Sequence, residues 1–144
     1  METIFSVYSK IVTEKLVSEN NEDSVFSRQE AVDGMHQEKN ENAKVVLIGA
    51  GGFSIVAMSL ARMGIGHIVV CDGDTIERSN LNRQRYFPDQ IGQNKAIALA
   101  DNLEKECTGE TTIEAYAMYF QALFKEMPQV FQGADVILCL VDNE

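Results

Sequence analysis

A glycine-rich turn, Gly-Ala-Gly-Gly at 49–52, follows the apolar run 44–48. Glycines let the chain turn tightly and let a ligand come close to the backbone. A helix that begins after such a turn offers unpaired N–H groups and a partial positive charge to phosphate oxygens. Gly49, Gly51 and Gly52 are therefore candidates for binding a nucleotide. The alternative is a strand-to-helix turn that holds no ligand.

An aspartate stands where the ribose of such a nucleotide would be expected. Asp72 ends the apolar run 67–72 and lies about 20 residues after Gly51. A carboxylate at this place can accept hydrogen bonds from both ribose hydroxyls. The alternative is that Asp72 only caps the following turn. Up to this point an NAD-dependent oxidoreductase fits as well as a protein that binds ATP.

Two polar segments after this aspartate, 79–87 and 91–95, favour a triphosphate over a dinucleotide. They supply side chains that suit phosphate binding, namely Asn80, Arg83, Gln84, Arg85 and Lys95. Arginine can bind phosphate with two parallel hydrogen bonds, and lysine acts as a point charge. Such cations stabilise the charge that develops when an α-phosphorus is attacked. The alternative is a solvated loop whose charges face water.

A further acidic residue, Asp142, follows the apolar run 134–141. If the strands at 44–48 and 134–141 are neighbours in the sheet, a crevice opens at their carboxyl ends. Asp142 then faces the turn at 49–52 across that crevice. A carboxylate there can bind Mg²⁺, which favours carboxylate, phosphate and water oxygens. The alternative is that Asp142 caps a turn or helix.

The elements that must position these side chains alternate along the chain. Apolar runs rich in β-branched residues predict strands at 44–48, 67–72, 112–118 and 134–141. Apolar residues at helical spacing predict helices at 52–63 and 95–106, and a short helix at 121–131 that Pro128 interrupts. This alternation predicts an α/β, Rossmann-like parallel sheet with helices on both faces. The expected strand order, numbered from 44–48, is 3-2-1-4.

The first part of the chain differs in composition from the rest. Residues 1–42 are rich in Glu, Asn, Ser and Gln, and we interpret them as an N-terminal helical arm and linker. Apolar residues near a 3.6-residue period predict a helix over 3–18. A second, short helix is predicted from 28 to 35. Residues 43–144 are then expected to form the N-terminal part of a nucleotide-binding domain.

Composition limits the classes of protein that this chain can belong to. It has 144 residues, 45% hydrophobic and 24% charged, which is typical of one folded domain. The formal net charge of −10 argues against a general affinity for nucleic-acid phosphates or anionic membranes. No apolar run approaches the ~20 residues that span a bilayer. The three cysteines form no CxxC pair, so a reducing, cytoplasmic setting is expected.

Five short motifs occur in order along the chain: GAGG (49–52), CDGD (71–74), SNLNRQ (79–84), IGQNK (91–95) and VDN (141–143). The segment FSRQEAVDG (26–34) precedes them. Together they resemble the ThiF/MoeB/HesA family, the activating enzymes of ubiquitin-like and sulfur-carrier proteins. The resemblance covers roughly residues 26–144.

This resemblance implies ATP-dependent adenylylation, in which the C-terminal glycine carboxylate of a small carrier protein attacks the α-phosphate of ATP and releases pyrophosphate. The implied cofactor contacts are Gly49, Gly51, Gly52, Asp72, Asn80, Arg83, Gln84 and Lys95. The implied catalytic residues are Arg83, Lys95, Arg28 and Asp142, with Asp142 binding Mg²⁺. Arg28 matches an arginine that reaches the triphosphate of the neighbouring protomer in this family, which implies a homodimer.

The chain departs from the family pattern at several places. Ser54 stands where a glycine is usual. Family members continue with more strands and often carry a nucleophilic cysteine and a zinc-binding CxxC pair, so we interpret this sequence, which stops at Glu144, as a truncated or split protein. We assign no nucleophile: Cys139 is expected to be buried in a strand, and glutamates near Cys107 should raise its pKa.

Three other functions stay open from the sequence. The same fold could act on tRNA-bound threonylcarbamoyladenosine, although the acidic composition disfavours it. The chain could be a non-catalytic, nucleotide-binding half of an activating enzyme. An NAD-dependent oxidoreductase has the support of the glycine turn and Asp72 alone.

Overall fold

The structure is a computed structural model that describes residues 7–12 and 24–142. Its strands are β1 (Val7–Val12), β2 (Lys44–Ile48), β3 (His67–Cys71), β4 (Thr111–Tyr116) and β5 (Val136–Cys139). Its α-helices are α1 (Ser27–Glu30), α2 (Gln37–Asn42), α3 (Ser54–Arg62), α4 (Lys95–Leu103) and α5 (Phe120–Glu126). Short 3₁₀ turns occur at Arg78–Asn80, Pro88–Gln90 and Pro128–Phe131.

The strands form one sheet in the order β1-β4-β3-β2-β5. The pairs β4–β3, β3–β2 and β2–β5 are parallel. This confirms the predicted Rossmann-like sheet, because 3-2-1-4 numbered from Lys44–Ile48 is β4-β3-β2-β5. The carboxyl ends of β2, β3 and β5 therefore meet at one edge of the sheet.

The predicted N-terminal helix over 3–18 is wrong at the residues that the structure describes. Val7–Val12 is a strand that pairs antiparallel with β4, with Val7 opposite Tyr116 and Val12 opposite Thr111. The segment is rich in Val, Ile and Tyr, which favour strands, and the outer edge of β4 offers it a ladder of backbone partners. The remaining residues of the predicted helix lie outside the described part of the chain. The predicted division of the chain into an arm at 1–42 and a nucleotide-binding domain at 43–144 stays a prediction.

Helices cover both faces of the sheet, as predicted. On one face α3 and α4 pack against alternate strand residues, including Leu47, Ile68 and Ile113. On the other face α5 and the turn after it pack against Val46 and Val69. Both faces of β2 and β3 are therefore buried, which explains why these strands read as continuous apolar runs.

Two further expectations need correction. The predicted helix 28–35 is shorter and lies at Ser27–Glu30, followed by α2. β5 was expected to be buried, but Val136, Ile137 and Cys139 are exposed. β5 is the edge strand of the described sheet, so its outer side has no neighbouring strand there. Within residues 7–12 and 24–142, no helix has the length and apolar character to cross a bilayer.

Candidate functional site

The glycine turn lies directly beyond β2, between the ends of two other strands. Gly49 has φ +100° and donates its N–H to the carbonyl of Cys71, at 2.8 Å. A Cβ at Gly49 would lie 2.9 Å from Val141 Cγ1 and 3.1 Å from the backbone carbonyl of Leu140. Glycine is therefore required at 49 both by its conformation and by the close passage of the chain after β5. Gly52, in contrast, faces open space.

The Asp72 carboxylate joins the end of β3 to this turn. Its Oδ2 accepts a hydrogen bond from the N–H of Ala50 at 2.7 Å, and its Oδ1 accepts one from the N–H of Asp74 at 2.8 Å. The turn-capping alternative for Asp72 is thus present in the structure. Each carboxylate oxygen has a second acceptor position, so these bonds leave capacity for hydroxyl donors.

Lys95 is tied to the same region through its neighbours. Asn94 caps α4 by accepting from the N–H of Ile97 and donates its amide to the carbonyls of Asp72 and Asp74, at 2.8 and 3.1 Å. The buried hydroxyl of Tyr86 donates to the carbonyl of Ala50, in the glycine turn, and lies 3.2 Å from the carbonyl of Lys95. The start of α4, the end of β3 and the glycine turn therefore form one hydrogen-bonded unit.

Gln84 lies beside the glycine turn with an unsatisfied oxygen. A Cβ at Gly51 would be 3.7 Å from Gln84 Nε2. The Gln84 Oε1 atom is buried and has no hydrogen-bond partner. A buried acceptor without a donor is costly, so this oxygen is a candidate contact for a ligand hydrogen-bond donor.

Asn80 lies in the polar segment 79–87, here called the polar loop, and forms hydrogen bonds with its backbone. It is buried, and its Oδ1 accepts from the N–H of Glu77 at 2.9 Å. Its carbonyl accepts from the N–H groups of Arg83 and Gln84. The structure thus gives Asn80 a local positioning role, and the role in ligand contact stays a prediction.

Arg83 is placed differently from Gln84 and Lys95. Its side chain is exposed, and its guanidinium donates to Ser79 O and Asn82 Oδ1 of its own loop, at 3.1 and 3.0 Å. Arg85, two residues further along the chain, is fixed through its backbone, since its N–H donates to the buried Ser54 Oγ at 3.3 Å. The loop is therefore anchored to the first turn of α3, while the Arg83 guanidinium bonds to the loop itself.

Lys95 is a buried cation with an acidic partner. Its side chain is 11% exposed, and Nζ lies 3.3 Å from Asp74 Oδ2. Asp74 Oδ1 accepts a 2.6 Å hydrogen bond from the Tyr119 hydroxyl. The hydrogen bond from Tyr119, together with the interaction with Lys95, holds the pKa of Asp74 below its usual range. The same hydrogen bond raises the pKa of Tyr119.

Asp142 is exposed, next to the residue that contacts the glycine turn. Val141 lies against Gly49, and the N–H of Leu140 donates to Ile48 O at 2.7 Å, which sets the path of this segment. No group of three or more His, Cys, Asp or Glu within residues 7–12 and 24–142 could hold a metal ion. A single carboxylate is compatible with Mg²⁺ bound mainly by substrate phosphates and water.

Arg28 and the glycine turn lie at opposite ends of the parallel strands. Beside it in α1, Gln29 donates to the carbonyl of Met63 at 3.0 Å. The Phe26 ring packs where a Cβ of Gly64 would be, 2.6 Å away. These residues precede β3, so α1 sits at the amino ends of the parallel strands. The exposed Arg28 is thus separated from the site of its own chain by the length of the sheet.

Four residues of this hydrogen-bonded region escaped sequence reasoning: Asp74, Tyr86, Asn94 and Tyr119. Asn94 could have been found, because an asparagine directly before a predicted helix is a strong N-cap signal. Tyr119 carries no such local signal, since its partner Asp74 is 45 positions away along the chain. The expectation that the pKa of Cys107 is raised agrees with the structure, where burial is the main cause and Glu104 and Glu106 add to it.

Comparison with known proteins gives consistent matches. The model of the ThiF family matches residues 25–144. Adenylyltransferase and sulfurtransferase MOCS3 of Caenorhabditis briggsae is 36% identical over 123 residues, covering 82% of this chain and 30% of that protein. Ubiquitin-like modifier-activating enzyme 5 of Drosophila mojavensis is 30% identical over 144 residues, covering 90% of this chain and 36% of that protein.

Solved structures agree with this result. PaaA is 28% identical with a TM-score of 0.71, over 88% of this chain and 42% of that one. Escherichia coli MccB is 33% identical with a TM-score of 0.64, over 74% of this chain and 30% of that one. MccB has also been solved with ATP, and that structure matches at 36% identity and a TM-score of 0.57, over 62% of this chain and 28% of that one.

The chain spans about a third of the length of the curated relatives that it matches. In this chain the family match begins just before α1 and continues through β5. It therefore includes the glycine turn, Asp72, the polar loop and Lys95. The strand order, the glycine turn and the family match agree, and this chain belongs to the ThiF family.

Proposed function

We propose that this chain is the nucleotide-binding part of an ATP-dependent adenylyltransferase that activates the C-terminal glycine carboxylate of a ubiquitin-like or sulfur-carrier protein. Relatives named as an adenylyltransferase and as a ubiquitin-like modifier-activating enzyme support the reaction type. The similar structure of MccB with ATP supports the nucleotide.

One observation carries the proposal: Asp72, the glycine turn and the helix start at Lys95 belong to a single hydrogen-bonded unit. Asp72 bonds to Ala50 of the turn, and Asn94 bonds to Asp72 and Asp74. The unit brings together a carboxylate suited to ribose hydroxyls, a glycine turn that lets phosphate approach the backbone, and a buried cation. These are the kinds of group that a nucleoside triphosphate requires, which supports the proposal.

The residues have distinct proposed roles. Gly49, Gly51 and Gly52 border the nucleotide, and Asp72 accepts from its ribose hydroxyls. Asn80 and Gln84 contact the phosphates or adenosine, with the unsatisfied Gln84 Oε1 available for a donor on the nucleoside. Lys95 and Arg83 neutralise phosphate charge. For Arg83 this requires the guanidinium to give up its hydrogen bonds to Ser79 and Asn82. The side chain is exposed, so it has room to turn to the phosphates.

In the proposed reaction an oxygen of the carrier's terminal carboxylate attacks the α-phosphorus. A new P–O bond forms, the bond to the β-phosphate oxygen breaks, and pyrophosphate leaves with the electron pair. Cations near the β- and γ-phosphates stabilise the negative charge of the departing pyrophosphate. We assign this contribution to Lys95 and Arg83. The products are an acyl-adenylate and pyrophosphate.

Asp142 fits a magnesium ligand by the chemistry of its donor atoms and by its place beside Val141 and the glycine turn. Magnesium is commonly held by one or two carboxylates and by substrate phosphates. When bound, it supplies positive charge that offsets the charge of the triphosphate. In this proposal Asp142 anchors the cation at the carboxyl end of β5.

The position of Arg28 supports a homodimer with shared sites. Since α1 lies at the amino ends of the strands, we propose that Arg28 serves the triphosphate in a second copy of the chain. Mixing Arg28→Ala and Lys95→Ala proteins tests this, because a mixed dimer has one site with both residues intact. Recovery of activity on mixing two inactive variants is expected. Additive residual activities would contradict shared sites.

Exchange of labelled pyrophosphate into ATP is the direct test of the reaction. We expect exchange that depends on Mg²⁺ and on a carrier protein that ends in Gly-Gly. Asp142→Asn should reduce the exchange rate at a fixed magnesium concentration. Absence of exchange with every sulfur-carrier and ubiquitin-like protein offered would contradict the proposal.

A second candidate is a nucleotide-binding partner without catalytic activity of its own. The bonds of the Arg83 guanidinium within its own loop favour this candidate, because they leave the phosphate region with fewer cations. Tight ATP binding without exchange, and no further effect of Asp142→Ala, is its signature. Calorimetry with ATP–Mg²⁺ and with NAD⁺ separates both candidates from an oxidoreductase.

A further inference from the structure

The Lys95 ammonium is held by a carboxylate that would compete with a phosphate. Its side chain is 11% exposed, and its Nζ lies 3.3 Å from Asp74 Oδ2. An ammonium has three N–H donors, so one bond to Asp74 still leaves donors that can face a ligand. A triphosphate that approaches Lys95 also approaches the negative charge of Asp74, and the two anions repel each other.

The same carboxylate has a second partner that does not depend on Lys95. The Tyr119 hydroxyl donates to Asp74 Oδ1 at 2.6 Å. The Tyr119 ring lies against Gly73, where a Cβ would be 2.6 Å from the ring. The ring therefore sits at that point because residue 73 has no side chain. Asp74 is further fixed through its backbone, whose carbonyl accepts from the N–H of Lys95 at 2.9 Å.

We propose that Asp74 and Tyr119 form a positioning pair for Lys95: Asp74 is the counter-ion of the ammonium before nucleotide binds, and Tyr119 stabilises the Asp74 charge when Lys95 turns to the phosphates. This inference rests on the proposed binding of ATP by Lys95. It adds a counter-ion exchange to that binding, in which one ion pair is replaced by another and no proton moves.

The two members of the pair should have opposite effects on ATP affinity. Asp74→Asn removes the competing anion and leaves a side chain of the same size, so ATP should bind more tightly. Tyr119→Phe removes the hydroxyl that stabilises Asp74 after Lys95 leaves, so releasing Lys95 is harder and ATP should bind more weakly. A residue that only supported the fold would weaken binding in both cases.

Calorimetric titration of the whole chain with ATP–Mg²⁺ measures these effects. We expect about three- to tenfold tighter binding for Asp74→Asn and about two- to fivefold weaker binding for Tyr119→Phe, the range of a partly exposed ion pair or hydrogen bond. The matched control is Tyr116→Phe, which also removes a 2.6 Å hydrogen bond from a tyrosine to a carboxylate, that of Glu114. It should leave the affinity for ATP unchanged.

The double variant provides the decisive comparison. If Tyr119 acts through Asp74, Tyr119→Phe should have no effect on ATP affinity once Asp74 is Asn. Weaker binding by Asp74→Asn, or equal effects of Tyr119→Phe in both backgrounds, would overturn the positioning pair. Thermal melts of each variant identify loss of folding. A wild-type chain that binds no ATP–Mg²⁺ would overturn the proposed function, and the counter-ion role of Asp74 with it, whereas wild-type binding with unaltered variants would overturn the counter-ion role alone.

Discussion

The Asp72 carboxylate accepts a 2.7 Å hydrogen bond from the backbone N–H of Ala50, which links the end of β3 to the turn after β2. The other carboxylate oxygen accepts from the N–H of Asp74. One side chain thus fixes two backbone segments that border the candidate nucleotide site. The shape of the glycine turn depends on a residue of the neighbouring strand as well as on its own glycines.

Replacing Asp72 by alanine should lower stability as well as nucleotide affinity. Two backbone N–H groups lose their acceptor, and the expected loss is about 1–3 kcal/mol in the free energy of unfolding. Urea denaturation measures it. Asp101→Ala, an exposed position on α4, is the control and should change stability by less than about 0.5 kcal/mol. Equal stabilities of the two variants would contradict a structural role for Asp72.

Removing the Tyr86 hydroxyl should loosen the glycine turn from α4. Tyr86→Phe keeps the buried ring, leaves the Ala50 carbonyl without this donor and removes the hydroxyl that lies 3.2 Å from the Lys95 carbonyl. We expect a loss of about 1–2 kcal/mol in the free energy of unfolding, together with weaker ATP binding. Hydrogen exchange of the turn's amides measures the loosening directly, and exchange rates equal to those of the wild type would rule it out.

Alanine at Gly49 should be far more harmful than alanine at Gly92. Both glycines have positive φ, at +100° and +87°, but a Cβ meets Val141 and the Leu140 backbone at Gly49 and nothing within 4 Å at Gly92. We expect Gly92→Ala to cost about 1–2 kcal/mol through backbone strain, and Gly49→Ala roughly 2 kcal/mol more. Thermal melting compares the two. Similar melting temperatures would mean that the chain after β5 moves away easily.

Thiol reagents should distinguish the cysteines by position. Burial, with the nearby Asp72 charge, raises the pKa of the Cys71 thiol to about 12, so its thiolate is scarce at neutral pH. Cys139 is exposed on β5. We expect Cys139 to be alkylated first and Cys71 to react only on unfolding, as followed by mass spectrometry. Protection of Cys139 in the native protein would show that another surface covers β5.

The sheet was predictable because its central strands carry their own signal. β2 and β3 lie between two helical layers, so their residues are apolar on both faces. The bounds of β2 agree with the prediction, and β3 ends one residue earlier than predicted. β1 was missed because an edge strand depends on a partner, here β4, that lies about a hundred residues further along the chain. Its apolar spacing also fits a helix, and its content of Val, Ile and Tyr does not by itself decide between the two.

The sequence motifs predict several residues of the candidate site and little of its geometry. The sequence motifs identify Asp72, Gln84 and Lys95, and the structure places each of them near the glycine turn or its hydrogen-bonded neighbours. The sequence does not show that the guanidinium of Arg83 bonds to its own loop. Hydrogen bonds between distant segments, such as Tyr119 to Asp74, depend on the folded topology and leave no periodic pattern.

The buried hydroxyl of Ser54 gives an unusual residue a defined purpose. Its acceptance of the Arg85 N–H pins the polar loop to α3, a task that a glycine at this position has no atom to perform. Replacing Ser54 by glycine would therefore leave the Arg85 N–H without this acceptor. The first turn of α3 then shapes the segment around Arg85 as well as the turn that precedes the helix.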